Sequence, residues 1–181
     1  MSEKIKLNLG CFDAKIEGFV NVDVRAEVNP DVIDDAFTLK TFEDNSVDLI
    51  YCCHMLEHGD FKQAKQSLVR WRQVLKPGGT LRVAVPDMEA HFAHYFYHKD
   101  LRKLYSAFWG SQRHSYDYHK IGWDFKTLRE DLEEVGFSNV RRYDWRETEH
   151  AHVDDYSQAY EPHMQKETGK LMSLNVEAIK I

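Results

Sequence analysis

The chain has 181 residues, of which 43% are hydrophobic and 13% aromatic, and its formal net charge is −6. This length and apolar content predict one domain with a full core and exclude a disordered or low-complexity chain. Basic residues alternate with acidic ones, which disfavours duplex nucleic acid as the main partner. The RNA-binding alternative rests on four basic residues of one predicted helix, which are Lys62, Lys65, Arg70 and Arg72.

The three cysteines are Cys11, Cys52 and Cys53. An odd count with two adjacent residues predicts neither a disulfide framework nor a Cys-x-x-Cys metal clip, and it favours a reducing compartment. The first residues, from Met1 to Lys4, lack the apolar core of a signal peptide, and no apolar run approaches membrane-spanning length. We therefore expect a cytoplasmic protein that does not insert into a membrane.

The first half of the chain is predicted to contain four strands and then a helix. Apolar alternation and apolar runs place the strands at Lys4 to Leu9, Phe19 to Val24, Asp31 to Ile33 and Val47 to Cys53. The helix is predicted from Phe61 to Leu75, because apolar residues recur there at spacings of four, three and four. The run Lys76-Pro77-Gly78-Gly79 ends it.

The second half is predicted to complete an α/β sheet. Its elements are a strand at Thr80 to Val85, two short helices and a loop within Met88 to Trp123, a helix from about Phe125 to Val135, and strands at Val140 to Trp145 and Met172 to Ala178. The last two strands have no helical pattern between them, which favours antiparallel pairing. We expect a mostly parallel seven-stranded sheet with an antiparallel last strand and helices on both faces.

A glycine turn after the first strand and an acid after the second indicate a nucleoside site. Gly10 would let the backbone approach a ligand closely, and Asp23 would accept hydrogen bonds from ribose hydroxyls. The alternative for Asp23 is an ordinary capping or turn residue.

Histidine is unusually frequent, with ten residues. His91, His94 and His98 share one helical face, but no carboxylate or cysteine completes a recognisable site, so we predict a solvated or substrate-facing stripe and no metal. His119 precedes the helix at Phe125 and should lie near the rim of a site. It is the candidate general base, with an ordinary loop histidine as the alternative.

Seven sequence pieces, in order, carry a family resemblance. They are Leu7-Asn8-Leu9-Gly10-Cys11, Gly18-Phe19-Val20-Asn21-Val22-Asp23, Phe42-Glu43-Asp44-Asn45-Ser46-Val47-Asp48, His54-Met55-Leu56-Glu57-His58, Val74-Leu75-Lys76-Pro77-Gly78-Gly79, Val85-Pro86-Asp87 and Gly136-Phe137. This order resembles the class I S-adenosylmethionine-dependent methyltransferases, most closely small bacterial and viral members often associated with surface-polysaccharide genes. The resemblance covers roughly Lys4 to Trp145 and implies a Rossmann-like fold and S-adenosyl-L-methionine as cofactor.

The resemblance also implies residue roles. The backbone of Leu9, Gly10 and Cys11 would pass under the methionine part of the cofactor, and Asp23 would hold the ribose. Asp35 would lie beside the adenine, with backbone contact from Ala36 or Phe37. Cys53 and His54, after the fourth strand, would lie beside the sulfonium. His54 is the second catalytic candidate. Glu57 and His58 are interpreted as the start or cap of the next helix.

One residue departs from the family pattern, because Phe12 stands where the family usually has a second glycine. Either the turn keeps an ordinary backbone angle and Phe12 points away, or the cofactor pocket is narrowed. The single methyltransferase domain would span 1–181, with an acceptor-side insertion around 88–123 and a lid-like loop around 150–169. The alternative for that loop is a surface hairpin that covers the sheet edge.

The predicted function is methyl transfer to a small or saccharide-like acceptor, at oxygen. One alternative keeps the cofactor but changes the chemistry to lyase or propylamine transfer. Another is a catalytically inactive S-adenosylmethionine-binding partner protein, which Phe12 motivates. The aromatic residues would suit an interface as well as a core, which leaves homo-oligomerisation open.

Overall fold

The computed structural model describes residues 4–163 and 165–181. Two short parts of the chain lie outside these described residues: residues 1–3, which belong to the N-terminal segment that was predicted not to be a signal peptide, and Met164 of the predicted lid-like loop. No helix in the described part is both long and apolar enough to cross a membrane.

Seven strands form one sheet in the order β3-β2-β1-β4-β5-β9-β6. They are β1 Lys6–Leu9, β2 Val20–Asp23, β3 Val32–Ile33, β4 Val47–Cys53, β5 Leu75–Pro86, β6 Phe137–Arg142 and β9 Ser173–Lys180, while β7 Tyr160–Glu161 and β8 Lys170–Leu171 form a separate hairpin. β9 runs antiparallel to both β5 and β6 and lies between them. The mostly parallel sheet with an antiparallel last strand is therefore confirmed.

Strand β6 begins three residues earlier than its predicted start at Val140. Its register with β9 shifts between Ser138 and Arg141, and Asn139 has a φ of 52°. This irregularity interrupts the apolar alternation, which is why the sequence pattern placed the strand too late.

The helices are α1 Phe61–Val74, α2 Met88–His98, α3 Tyr105–Trp109 and α4 Phe125–Glu134. Asp60 and Asp124 begin α1 and α4 with reciprocal side-chain and backbone hydrogen bonds to the residue three positions later. Both helices bury one apolar stripe, and these stripes pack in one cluster with alternate residues of β1, β4, β5 and β9, among them Leu9, Ile50 and Val83. The helices α1 and α4 thus cover one face of the sheet.

The opposite face is covered at its centre by nonhelical segments. Tyr51 of β4 is fully buried there against Ile16 and Phe19 from the β1–β2 connection and Val153 from the β6–β7 connection. Residues 10–19 are too few for a helical crossover, which takes about a dozen residues or more. At this part of the sheet the cover is therefore nonhelical.

Trp71 connects helix α1 to the turn after β3. Its side chain is 0% exposed, and its indole Nε1–H donates to the carbonyl oxygen of Ala36 at 2.7 Å. We expect Trp71→Phe to lower the free energy of unfolding by about 1–3 kcal/mol, because it leaves that buried carbonyl unpaired and opens a cavity. Trp109→Phe is the matched control at a side chain 44% exposed, with an expected change within about 0.5 kcal/mol. Equal losses in urea unfolding would contradict this assignment.

Candidate functional site

The carboxyl ends of β1, β2 and β4 meet at one edge of the sheet. Leu9 pairs with Val22 of β2 and with Cys52 of β4, and the backbone amides of Gly10 and Cys11 both donate to the carbonyl oxygen of Val22, at 2.8 and 3.1 Å. The Leu9 side chain is buried in the core, so this residue presents its backbone to the edge. Open α/β sheets bind ligands at this position.

The turn after β1 contains two left-handed residues. Gly10 has a φ of 65°, and a Cβ atom there would lie 2.8 Å from Cγ of Met55, which explains the glycine. Phe12 has a φ of 42°, so of the two alternatives for this turn, the one with an ordinary backbone angle is wrong. Its ring is half exposed and lies 4.7 Å from the Arg25 guanidinium, and its backbone amide donates to Asp23 Oδ2 at 3.0 Å.

Asp23 is a buried carboxylate that is already engaged. Its two oxygens accept hydrogen bonds from the backbone and guanidinium of Arg25 as well as from the Phe12 amide. Burial would raise the pKa of Asp23, but the hydrogen bonds from Arg25 and Phe12 outweigh it and hold the pKa below its usual value. The group is therefore an ionised acceptor. Sequence reasoning missed Arg25, whose only signal was its position two residues after the acid.

The predicted adenine-side residues lie after β3. Asp35 Oδ1 accepts from the backbone amide of Phe37 at 2.9 Å, so this acid caps its own turn. The Ala36 carbonyl is committed to Trp71. The amide of Asp34 donates to the carbonyl oxygen of Asp23 at 3.2 Å, which holds this turn next to the end of β2.

Cys53 and His54 follow the core of β4, as predicted. The Cys53 thiol packs with Tyr51 on the nonhelical face, and burial raises its pKa well above the usual value. His54 has a φ of 47°, donates its backbone amide to the carbonyl of Ala84, and places its Nε2 atom 3.0 Å from Ser173 Oγ. In the turn after β1, burial and, to a lesser extent, the charge of Asp23 raise the pKa of Cys11 to about 11, so that thiol is neutral too.

Four side chains form what we call the imidazole–carboxylate cluster: His54, Glu57, His58 and His119. Glu57 is 0% exposed, and its Oε1 lies 3.5 Å from His54 Nδ1 and 3.9 Å from His119 Nε2. The rings of His58 and His119 meet edge to face at 4.9 Å. The structure thus brings together His54 and His119, the two predicted catalytic residues.

The interpretation of Glu57 and His58 as the start of the next helix is wrong. They lie in a separate 3-10 turn, Leu56–His58, and the residue that caps α1 is Asp60. The signal that could have identified them is the spacing His-x-x-Glu-His itself, which places three polar side chains directly after a buried strand.

The predicted insertion at 88–123 carries His119 to the cluster. The amide of Lys120 donates to the carbonyl of Glu57 at 2.8 Å, and His119 Nδ1 lies 2.8 Å from the carbonyl oxygen of Ala107. The predicted histidine stripe was to be solvated or substrate-facing. Its first member, His91, is buried, with its Nδ1 atom 2.7 Å from the carbonyl oxygen of Asp87, so the solvated alternative is wrong for this residue.

Burial controls protonation in the cluster. It raises the pKa of Glu57 to about 8 and lowers the pKa of His54 to about 3. It also lowers the pKa values of His58 and His119 below the ordinary histidine value. Near neutral pH the imidazoles are therefore uncharged and can accept a hydrogen bond or bind a cation.

The predicted lid-like loop is anchored at its start. The Tyr51 hydroxyl donates to Asp155 Oδ2 at 2.6 Å, and the buried His150 ring packs 4.2 Å from the Tyr51 ring. Tyr156 is exposed, with its ring 5.4 Å from that of His54. Residues 150–158 are thus a wall fixed on the sheet that reaches the site at Tyr156.

One protein-family model matches part of the chain. Residues 17–83 match the family model of the methyltransferase domain, a range that contains Asp23, His54 and Glu57. No curated protein sequence matches the chain.

Several solved structures share the fold. A methyltransferase dependent on S-adenosylmethionine (SAM) from Methanosarcina mazei is 17% identical, with a TM-score of 0.63 over 100% of this chain and 94% of that chain. One from Archaeoglobus fulgidus is 16% identical, with a TM-score of 0.61 over 98% and 86%. A third, from Thermotoga maritima, is named as a possible histamine N-methyltransferase and is 15% identical, with a TM-score of 0.61 over 100% and 84%.

The turn at Gly10 gives a stability test. Gly10→Ala should lose about 1–2 kcal/mol of unfolding free energy from its left-handed backbone and about 1 kcal/mol more from the contact with Met55. Gly18→Ala is the matched control, because its φ is also positive, at 76°, and no heavy atom lies within 4 Å of its added Cβ. Urea unfolding measures both. Equal losses would show that Met55 moves aside freely.

Proposed function

We propose that this chain is a class I SAM-dependent methyltransferase that methylates a hydroxyl of a small or saccharide-like acceptor. The matched family segment and the strand order support this family. The protein is then an enzyme whose cofactor is S-adenosyl-L-methionine.

The observation that carries the proposal is the position of the imidazole–carboxylate cluster. It follows β4 directly, next to the turn after β1 that holds Gly10 and Cys11. We assign the cofactor to that edge, with the backbone of Leu9, Gly10 and Cys11 under its methionine part, Asp23 on the ribose, Asp35 and Ala36 at the adenine, and Cys53 and His54 beside the sulfonium.

The acceptor would bind on the other side of the cluster, between α2–α3 and the fixed wall at Tyr156. An aromatic ring and neutral imidazoles suit a hydroxylated molecule, because rings stack on sugar faces while ring nitrogens bind hydroxyls. The Thermotoga neighbour is named for a nitrogen acceptor, so the fold leaves the acceptor atom open. Oxygen is our choice because a hydroxyl has a proton that the cluster can take.

Two residues are proposed as catalytic. His119 and His54 are uncharged, and each has a ring nitrogen beside Glu57. We assign His119 as the group that receives the proton of the acceptor hydroxyl, and His54, whose pKa of about 3 makes it a weak base, as a group that binds the hydroxyl. Methyl transfer also requires the nucleophile, the methyl carbon and the leaving sulfur on one line, which the walls of the cleft would impose. A lid-like role stays a proposal for residues 159–169, beyond the anchor, and the single-domain organisation stays one as well.

A second candidate is a cofactor-binding partner protein without catalysis. The observation that favours it is the ion pair of Asp23 with Arg25, together with Phe12 in the turn, since a ribose must share a carboxylate that already has donors. Turnover of any acceptor would eliminate this candidate.

Asp23 is tested by calorimetric titration with S-adenosylhomocysteine. We expect Asp23→Asn to weaken binding at least about tenfold, or about 1.4 kcal/mol, because the amide loses the charge that strengthens hydrogen bonds from ribose hydroxyls. Asp13→Asn, an exposed acid in the same turn, is the control and should bind normally. Unchanged affinity in Asp23→Asn would contradict the ribose assignment.

His119 is tested by S-adenosylhomocysteine release with a panel of glycosides and nucleotide sugars. We expect His119→Gln to lower kcat by about 10²-fold or more while cofactor affinity stays normal. His114→Gln, an exposed histidine of the same loop, should retain activity. Equal kcat values in the two variants would exclude His119 from the reaction.

A further inference from the structure

The tautomers of His58 and His119 are fixed by backbone carbonyls. His58 Nδ1 lies 3.2 Å from the carbonyl oxygen of Tyr118, and His119 Nδ1 lies 2.8 Å from that of Ala107. A carbonyl oxygen only accepts, so each Nδ1 carries the proton. Each Nε2 therefore keeps a free lone pair, and His119 Nε2 is directed towards Glu57.

A chain of hydrogen bonds fixes His54 in the opposite tautomer. Asn175 Nδ2 donates to the carbonyl of Ser157, so its Oδ1 is the atom that accepts the Ser173 hydroxyl proton, at 2.9 Å. Ser173 Oγ must then accept from His54 Nε2. The lone pair of His54 is left on Nδ1, which faces Glu57 Oε1 at 3.5 Å.

Glu57 is thus a buried carboxylate surrounded by acceptors. Neither of its oxygens has a hydrogen-bond partner, and no lysine or arginine in the described residues forms an ion pair with it. Burying a charged carboxylate without a compensating positive charge is costly, so in the metal-free chain Glu57 holds a proton near neutral pH. A cation that replaces this proton would meet lone pairs that already converge on the carboxylate.

We propose that Glu57, His58 and His119 bind a divalent transition metal ion of the zinc type. One ligand atom from each lies within 4.8 Å of the other two. A tetrahedral ion with bonds of about 2.0–2.1 Å brings its ligands to about 3.4 Å apart, so the set must close by roughly 1 Å. Two imidazole nitrogens and one carboxylate oxygen favour zinc, iron or cobalt over magnesium. Carbonyls that hold the distal ring nitrogen are also typical of histidine ligands to metals.

The role of this ion rests on the proposed function. Three protein ligands leave one position for the acceptor hydroxyl, whose pKa the ion lowers. The hydroxyl proton leaves to solvent, the oxygen forms a bond to the methyl carbon, and the carbon–sulfur bond breaks with its electron pair on sulfur. The products are the methyl ether and neutral S-adenosylhomocysteine. With the ion bound, His119 is a ligand and not the base.

Metal binding is tested directly on the full chain, stripped with a chelator and dialysed against Zn²⁺, Co²⁺ or Mg²⁺. We expect one Zn²⁺ or Co²⁺ per chain, visible d–d absorption of bound Co²⁺, and no retained Mg²⁺. Glu57→Gln and His119→Gln should each weaken Zn²⁺ binding at least about tenfold. His114→Gln should bind like the unmodified chain, which controls for zinc on surface histidines.

Glu57→Gln also reports on folding. The amide has the size of the protonated acid and is uncharged like it, so the metal-free variant should unfold at about the same temperature as the unmodified chain, and loss of zinc cannot then be attributed to unfolding. Equal zinc affinity in Glu57→Gln, or no bound zinc in a chain that binds S-adenosylhomocysteine, would overturn the metal site. Failure to bind S-adenosylhomocysteine would instead count against the proposed function.

Discussion

The short connection between β1 and β2 is the constraint on which the rest of the structure depends. Residues 10–19 leave no room for a helix, so one face of the central strands must be covered by other parts of the chain. The segment after β6 supplies that cover, held by the hydrogen bond of Tyr51 to Asp155 and the packing of His150. The same anchor sets Tyr156 beside His54. Covering the sheet and building one wall of the site are therefore a single structural solution.

Glu57 shows why the insertion between β5 and α4 matters for the site. Its carboxyl group is buried without hydrogen-bond donors, yet its backbone carbonyl accepts from the amide of Lys120 and so ties the insertion to the end of β4. A hydrogen bond of the main chain thus fixes the position of His119, while its side-chain tautomer is fixed separately by Ala107. The cluster is preorganised by backbone groups, and such positioning loses little entropy when a ligand arrives.

Much of the fold was predictable because it follows from periodicity. The bounds of β4 agree with the sequence pattern at both ends, and those of α1 at its start, since an apolar run and a helical stripe are local signals. The nonhelical cover on the other face was not predictable. Asn175 of β9 is polar but buried, because the distant segment at Ser157 covers it and accepts its hydrogen bond, and the sequence pattern around Asn175 carries no signal of that contact. At the site, positions at strand ends made Asp23 and His54 candidates, but the ion pair of Asp23 with Arg25 and the lack of a partner for Glu57 depend on side-chain directions. No spacing rule specifies those directions.

The turn at Phe12 connects strain to cofactor binding. A left-handed phenylalanine costs about 1–2 kcal/mol. Two contacts offset this cost: the hydrogen bond from the Phe12 backbone amide to Asp23, and the contact of the Phe12 ring with the Arg25 guanidinium. Both compensating contacts converge on the acid assigned to the ribose. A ribose that binds Asp23 therefore exchanges hydrogen bonds instead of adding them, so the gain at this position comes from the greater strength of hydrogen bonds to a charged acceptor. The rest of the affinity for the cofactor must then come from its apolar and backbone contacts.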